Sequence, residues 1–385
     1  MSLDPFLRFA SESAMPFHPV LHFLAALSLT ALAFKLPFAQ LRRLWAGLIV
    51  AFVWRSWIGI PELTSSPTLQ SGFSLFLLVW VLHVLALLFI EAGTLCTGRQ
   101  ELVWSEVGKL LFDVRRIGQR SLEHQRKAFV NGKERGTTGT TKSPEEASIL
   151  SFLKYRILRM CLCFAALYIY ETNSHSIATT ILNILHSATR NLSHASGTAL
   201  QKVVLDLYMT LEFILSTFLF NNGFHSLFAV CAVGVLGLDT PEEWPLIWGS
   251  LTDVTSVRNF WGSYWHRLVA RTFLAWSSVL LAGLKIDRRS AYGRRLTPIL
   301  VFALSGCCHG LTSWLMGFRC GWWTDVAWFI LQAVVMALEE LLGMVGKSTR
   351  LQMSRIQRFL GCVWTWTILS QSISWWQSAK AQCMP

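Results

Sequence analysis

Charge is scarce in this sequence, and so are the motifs that hold a nucleotide. Asp, Glu, Lys and Arg make up 15% of its 385 residues. No Gly-x-Gly-x-x-Gly follows a strand-like run and no Gly-x-x-x-x-Gly-Lys-Ser/Thr is present, which removes Rossmann enzymes and P-loop motors. The Gly-x-Ser-x-Gly elbow of an α/β-hydrolase is missing. None of the ten histidines has an aspartate three or four residues after it, so two common acyltransferase patterns drop out. No internal repeat with a period of 20 to 50 residues is present. The first residues lack a basic stretch feeding into an apolar core with a small-residue cleavage site, and the first apolar run is therefore expected to be a retained span.

Metal and disulfide chemistry find little support either. The nine cysteines are odd in number, and Cys161, Cys163, Cys307 and Cys308 sit in or beside apolar segments, which argues against a disulfide scaffold. Cys307, Cys308, His309 and Cys320 lack a Cys-x-x-Cys spacing, and adjacent cysteines project in different directions from a helix, so no metal site is expected there. His18-Pro-Val-Leu-His22 has the spacing of one histidine box, but a di-iron membrane oxidase fills its ligand set from several.

What the chain does have is apolar surface. It is 53% hydrophobic with a mean hydropathy of +0.43, and the apolar residues gather into runs near Val20–Phe34, Leu44–Ile60, Phe73–Ala92, Val203–Phe220, Phe224–Leu238, Leu268–Leu284, Pro298–Phe318, Trp322–Val345 and Phe359–Trp376. A tenth, Ile157–Tyr170, is short. Crossing a hydrocarbon core takes roughly 20 helical residues, and only helices or closed barrels satisfy the backbone in lipid. The expected fold is all-α: a polytopic integral membrane bundle of about eight to ten transmembrane helices. Trp and Tyr cluster at the ends of the runs, as Trp45, Trp54 and Trp57 do, where amphipathic rings favour the interface.

Lys and Arg outnumber Asp and Glu by 34 to 22, and the excess lies in loops between apolar runs, the positive-inside pattern. No basic stripe interleaved with aromatics marks a soluble surface, so the expected partner of this charge is membrane lipid and not nucleic acid. Residues 99–156 read as a basic cytosolic loop with a disordered middle at Asn131–Lys142, flanked by N-terminal membrane helices over 1–98 and central ones over 157–240. Residues 347–385 supply a C-terminal membrane helix and tail. Asn191-Leu-Ser193 matches a glycosylation sequon, a triplet that often arises by chance.

Two histidines stand out against this background. His309 lies within the apolar stretch Thr297–Phe318, preceded by Ser305-Gly306 and followed by Gly310. An ionisable group at that depth needs a compensating role, and the small neighbours leave room for close helix packing or for a substrate beside the ring. The competing structural reading is a packing histidine bonded to a neighbouring helix. The functional alternative is chemical: a neutral imidazole in a low-dielectric site is ready to accept a proton at neutral pH. His266 closes the aromatic and basic run Arg258-Asn-Phe-Trp-Gly-Ser-Tyr-Trp-His-Arg267. Helical spacing would put Arg258, Gly262 and His266 on one face and Trp261, Trp265 and Leu268 on another. An interfacial helix anchored by Trp and Arg is the competing structural reading.

The pattern Trp244-Pro245, Gly249, Ser256, Arg258, Phe260-Trp261-Gly262 and Trp265-His266, followed by Ser305-Gly306 and His309, resembles the wax synthase-like branch of the membrane-bound O-acyltransferases. Fungal members of that branch acetylate terpenoid and meroterpenoid alcohols in secondary-metabolite pathways. The resemblance implies an acyltransferase core over 241–346, His309 as catalytic base, and His266 at the polar position that closes the Phe-x-x-x-Trp-x motif. It implies that Trp261 and Trp265 shape the acyl-donor tunnel. Ser263-Tyr264 stand where basic residues are common in the family, which leaves Arg258, Arg267 and Arg271 as candidates for the coenzyme A phosphates.

The expected reaction is acetyl transfer from acetyl-CoA, a co-substrate and not a bound cofactor, to a hydroxyl of a lipophilic terpenoid-type alcohol. The expected location is the endoplasmic reticulum membrane. A long-chain acyl-CoA:fatty alcohol acyltransferase is the nearer alternative. A transporter whose histidines line a polar path is the more distant one, opposed by the missing repeat and by the dearth of acidic residues in most runs. An integral-membrane terpene cyclase would want acids inside the bundle, and Glu339-Glu340, near the end of their run, are expected to face the interface.

Overall fold

A computed structural model describes residues 18–36, 39–91, 103–112, 144–189, 194–266, 268–342 and 354–382, and among them every regular element is helical. The sequon at Asn191, the loop middle at 131–142 and Arg267 lie outside the described residues. We number the long helices α1 (His18–Lys35), α2 (Arg42–Ile58), α3 (Pro67–Leu85), α4 (Trp104–Phe112), α5 (Pro144–Thr189), α6 (His194–Ala229), α7 (Ala270–Gly283), α8 (Ala291–Leu315), α9 (Trp322–Leu341) and α10 (Arg355–Ala381). Among the described residues, four stretches are long and apolar enough to cross a membrane: His18–Lys35, Pro67–Ile90, Gly197–Val235 and Ala291–Leu315.

Local chemistry sets several of these boundaries. Ser66 caps α3 by accepting from the Leu69 amide at 3.1 Å, with Pro67 at the first position, where its missing N–H is no loss. The same hydroxyl donates to Glu171 at 2.9 Å and so ties α3 to α5. Ser290 caps α8 through the Gly293 amide, and Ser354 with Gln357 forms a capping box that starts α10.

Three departures from the sequence reading have physical causes. The runs Val203–Phe220 and Phe224–Leu238 are one element: α6 passes through Asn221-Asn222-Gly223 unbroken and continues as a π-helical turn over Val230–Val235. The amide Nδ2 of Asn222 donates to the Phe218 carbonyl one turn back, and Arg159 of α5 donates to its Oδ1 at 2.5 Å, so a polar break in the sequence is satisfied inside a helix pair. The short run Ile157–Tyr170 is the interior of α5, 46 residues long. The expected basic loop opens with α4, whose Val107 and Leu110 are buried against α3, while Trp80 and His83 of α3 donate to the Leu111 and Leu110 carbonyls at 2.8 Å each. Among the described residues, six cysteines are free thiols and Cys320 is disulfide-bonded, a bond that the odd count and scattered spacing had not marked.

Two clusters hold most of the buried apolar core. One cluster joins α1 to α4 around Ile49, Trp80, Val84 and Leu87. The other lies where α6, α9 and α10 meet the segment before α7, around Trp248, Phe260, Tyr264, Trp265, Trp328 and Trp376. The second surrounds both histidines.

Candidate active site

The irregular segment between α6 and α7 is fastened at both ends. At its start, the Trp244 indole donates to Asp239 at 3.0 Å and its carbonyl accepts from the Arg156 guanidinium of α5. Lys109 of α4 pairs with Glu243 at 2.9 Å. Further on, the Gly249 amide donates to the Tyr264 carbonyl at 2.9 Å. A β-carbon at Gly249 would fall 2.0 Å from the Ser263 carbonyl oxygen, so only glycine lets the two strands of this loop lie together.

Ser256 then starts a short helical turn, Val257–Asn259, its hydroxyl accepting from the Asn259 amide at 3.0 Å. The free amides at the head of this turn are taken by Glu339 of α9. Its carboxylate accepts from the Val257 amide at 2.7 Å, the Arg258 amide at 3.0 Å and the Trp364 indole at 3.0 Å. Glu339 is fully buried, not facing the interface as its place near a helix end suggested. A helix N-terminus carries partial positive charge, and a carboxylate is its natural partner.

A π-helical turn follows over Phe260–Tyr264, and Trp265 leaves it in an extended conformation. His266 is therefore beyond the helix, and the expected helical face shared with Arg258 and Gly262 does not form. The turn instead swings Trp265 and His266 inward. Trp265 stacks on Phe213 of α6 at 5.3 Å between ring centroids and meets Trp248 edge-on at 4.9 Å, and His266 lies 5.3 Å from Trp265 and 5.6 Å from Trp248.

His309 comes from α8. Gly306 and Gly310 press that helix onto α9: a β-carbon at Gly306 would sit 2.9 Å from the Val326 α-carbon, and one at Gly310 2.7 Å from the Trp322 carbonyl. The small residues thus serve close helix packing, one of the two uses their spacing allowed. The His309 ring stacks on Phe329 of α9 at 4.7 Å. Phe329 reaches Trp261 at 6.3 Å, and Trp261 reaches Trp265 at 5.1 Å. One unbroken aromatic cage therefore links His309 to His266, and the two imidazoles are near enough to interact electrostatically. Trp261 is oriented by Gln332, fully buried on α9, which accepts its indole N–H at 3.2 Å and donates to Ser372 at 3.1 Å.

Buried polar atoms without a partner occur in several parts of the molecule, and those at the cage are His266 Nδ1, the Trp248 and Trp328 indole nitrogens and, beside it, Asp325 Oδ2. Unsatisfied polar atoms are rare in folded proteins, and these four are available to a polar substrate group. Of the basic candidates, Arg258 pairs with Glu340 at 2.5 Å, and Arg271 is exposed on the first turn of α7.

Sequence reasoning missed Asp325, Lys380, Gln332 and the buried role of Glu339. A signal was present for three of them, since Asp325, Gln332 and Glu339 are polar residues in an apolar helix, where such groups are expensive. Lys380 gave none.

Residues 244–331, which contain both histidines, match the Membrane bound O-acyl transferase family. The chain is 33% identical over 151 residues, 38% of its length and 49% of the relative's, to "Acetyltransferase ataH" of Aspergillus terreus. It is 35% identical over 113 residues, 29% of its length and 19% of the relative's, to "Acetyltransferase spyB" of Aspergillus fumigatus. To "Acetyltransferase sirH" of Emericella nidulans it is 29% identical over 134 residues, 34% and 30% of the two chains. The matched stretches thus span less than half the length of each of these curated relatives. No solved structure matches the chain. Residues 244–331 are thus similar to the membrane bound O-acyl transferase family and to these fungal acetyltransferases, the resemblance that the two histidine motifs implied.

Proposed function

We propose that this protein is a membrane-embedded O-acyltransferase that moves acetyl from acetyl-CoA to the hydroxyl of a lipophilic, terpenoid-type alcohol. The observation that carries the proposal is the convergence of His266 and His309, from separate elements, on one aromatic cage rimmed by unpartnered donors. Acetyl is favoured over a longer chain by the printed names of the relatives.

In this reading His309 takes the hydroxyl proton as the alcohol oxygen attacks the thioester carbon. General-base help of this kind contributes about 100-fold to 10,000-fold. The oxyanion that forms accepts from buried N–H groups, for which His266 and the Trp248 and Trp328 indoles are placed. Collapse of the tetrahedral intermediate breaks the C–S bond, and the departing thiolate takes the proton back from His309. Ester and free coenzyme A leave, and the imidazole is neutral again. Trp261 and Trp265 wall the acyl path. Arg271, and Arg267 beside it in sequence, are the cations left to meet the coenzyme A phosphates, because Arg258 already has Glu340.

Membrane placement suits this chemistry, since the acceptor partitions into lipid while coenzyme A arrives from water. Among the described residues, nine helices, α1 to α3 and α5 to α10, are candidates for the eight to ten spans of an endoplasmic reticulum enzyme, with the acyltransferase core over 241–346. The test supplies membranes bearing the chain or His309→Ala with labelled acetyl-CoA, labelled palmitoyl-CoA and a panel of terpenoid and fatty alcohols. Acetyl ester formed by the wild type and lost in the variant supports the proposal. Ester from palmitoyl-CoA alone would make it a wax ester synthase, and no ester from any donor would sink it.

A further inference from the structure

Asp325, in the first turn of α9, is fully buried beside the site. One carboxylate oxygen, Oδ1, accepts everything the protein offers: the Lys380 ammonium at 2.7 Å and the Trp376 indole at 2.9 Å, both from α10. The other, Oδ2, is buried and accepts nothing. A lone structural carboxylate would gain by spreading its donors over both oxygens, as Glu339 does at the far end of the same helix. Leaving a charged acceptor oxygen dry and bare is costly. Lys380 is less constrained, because its side chain retains 22% of its exposure and its ammonium also lies over the Trp376 ring at 4.8 Å.

His309 lies on the helix that packs against this acid. Gly306, one turn before His309, packs against the Asp325 backbone, with a β-carbon there only 3.4 Å from the Asp325 carbonyl. Phe329, one turn after Asp325, carries the stacked His309 ring. The Asp325 carboxylate and the Lys380 ammonium both lie within electrostatic reach of the His309 ring.

Resting on the acyl-transfer reading, we propose that Asp325 is the positioning residue of His309, its bare oxygen Oδ2 serving as counter-charge for the imidazolium formed when His309 takes the alcohol proton. Before proton transfer the Asp325–Lys380 pair is neutral and His309 is uncharged. Afterwards a cation sits in a low-dielectric cage, and a fixed carboxylate already in place stabilises it without reorganisation. Lys380 and Trp376 occupy Oδ1 and leave the other oxygen without a partner.

The test compares wild type, Asp325→Asn, Asp325→Glu and the double variant Asp325→Asn/Lys380→Gln as full-length chains, following kcat and KM for acetyl-CoA together with thermal stability. Asp325→Asn alone strands a cation, so the double variant is the decisive one: it removes both charges and keeps the packing. We expect the double variant to melt near wild type with KM unchanged and kcat at least about tenfold lower, in keeping with the size of general-base effects. Asp325→Glu should recover part of the loss. A double variant with wild-type kcat would overturn the assignment, showing that Asp325 only balances Lys380. An inactive wild type would instead bring down the acyl-transfer reading and this assignment with it, and the wild-type lane separates that case from the former.

Discussion

The two ends of α9 each bury a carboxylate completely, and they are finished differently. Glu339 accepts from two backbone amides and an indole, on both of its oxygens. Asp325 loads one oxygen and leaves the other bare. The first is a clamp: it pins the turn that carries Trp261, Trp265 and His266 to the helix that carries Phe329. The second is the group proposed above to balance the charge on His309. A completed hydrogen-bond set marks a group whose work is holding the fold, and an incomplete one marks a group whose partner arrives later.

Substitutions can break this contrast. Gly249→Ala should do the most damage, since a methyl 2.0 Å from the Ser263 carbonyl forces the loop open. Overpacking against backbone costs up to about 3 kcal/mol, and loss of both thermal stability and ester formation is expected; a variant that melts like wild type would show the loop to be soft. Glu339→Gln is the direct probe of the clamp. The amide can no longer accept everywhere the carboxylate did, at a cost of about 2 kcal/mol for a stranded buried donor. Its melting temperature in detergent should fall while turnover per folded molecule largely survives, the reverse of the pattern expected at Asp325. Trp261→Phe sharpens the point at smaller scale. It strands the Gln332 oxygen at about 1 kcal/mol, detectable as a modest drop in melting temperature with a measurable change in KM for the acyl donor. Arg258→Ala should do least, because its pairing with Glu340 is more than a third exposed on both sides; a change within about 0.5 kcal/mol is expected, and a large rise in KM for acetyl-CoA would return Arg258 to the phosphate site.

Much of this architecture is legible in the chain itself. Eight of the nine helices proposed as spans coincide with apolar runs, because burial in lipid and burial in a helical core ask for the same residues. The ninth, α5, showed only as the fragment Ile157–Tyr170, since its polar ends and the buried Arg156 dilute the signal. The fusion of two runs into α6 was illegible because Asn222 reads as a break until Arg159, on another helix, is seen to satisfy it. His266 and His309 could be named from their motifs, but not the π turn that releases His266 from the helical face. Glu339 and Asp325 act on partners far along the chain, Val257 before one and Trp376 after the other, and no local pattern encodes such a meeting.

The tie between Asp325 and Lys380 also bears on how the protein is made. Synthesis makes α9 before α10, so the acid is present before its cation. Burying Asp325 without Lys380 would strand a charge at a cost of several kcal/mol, on the order set for unpaired buried ions. Docking of α10 therefore completes this corner of the fold by supplying the charge that lets the carboxylate stay buried.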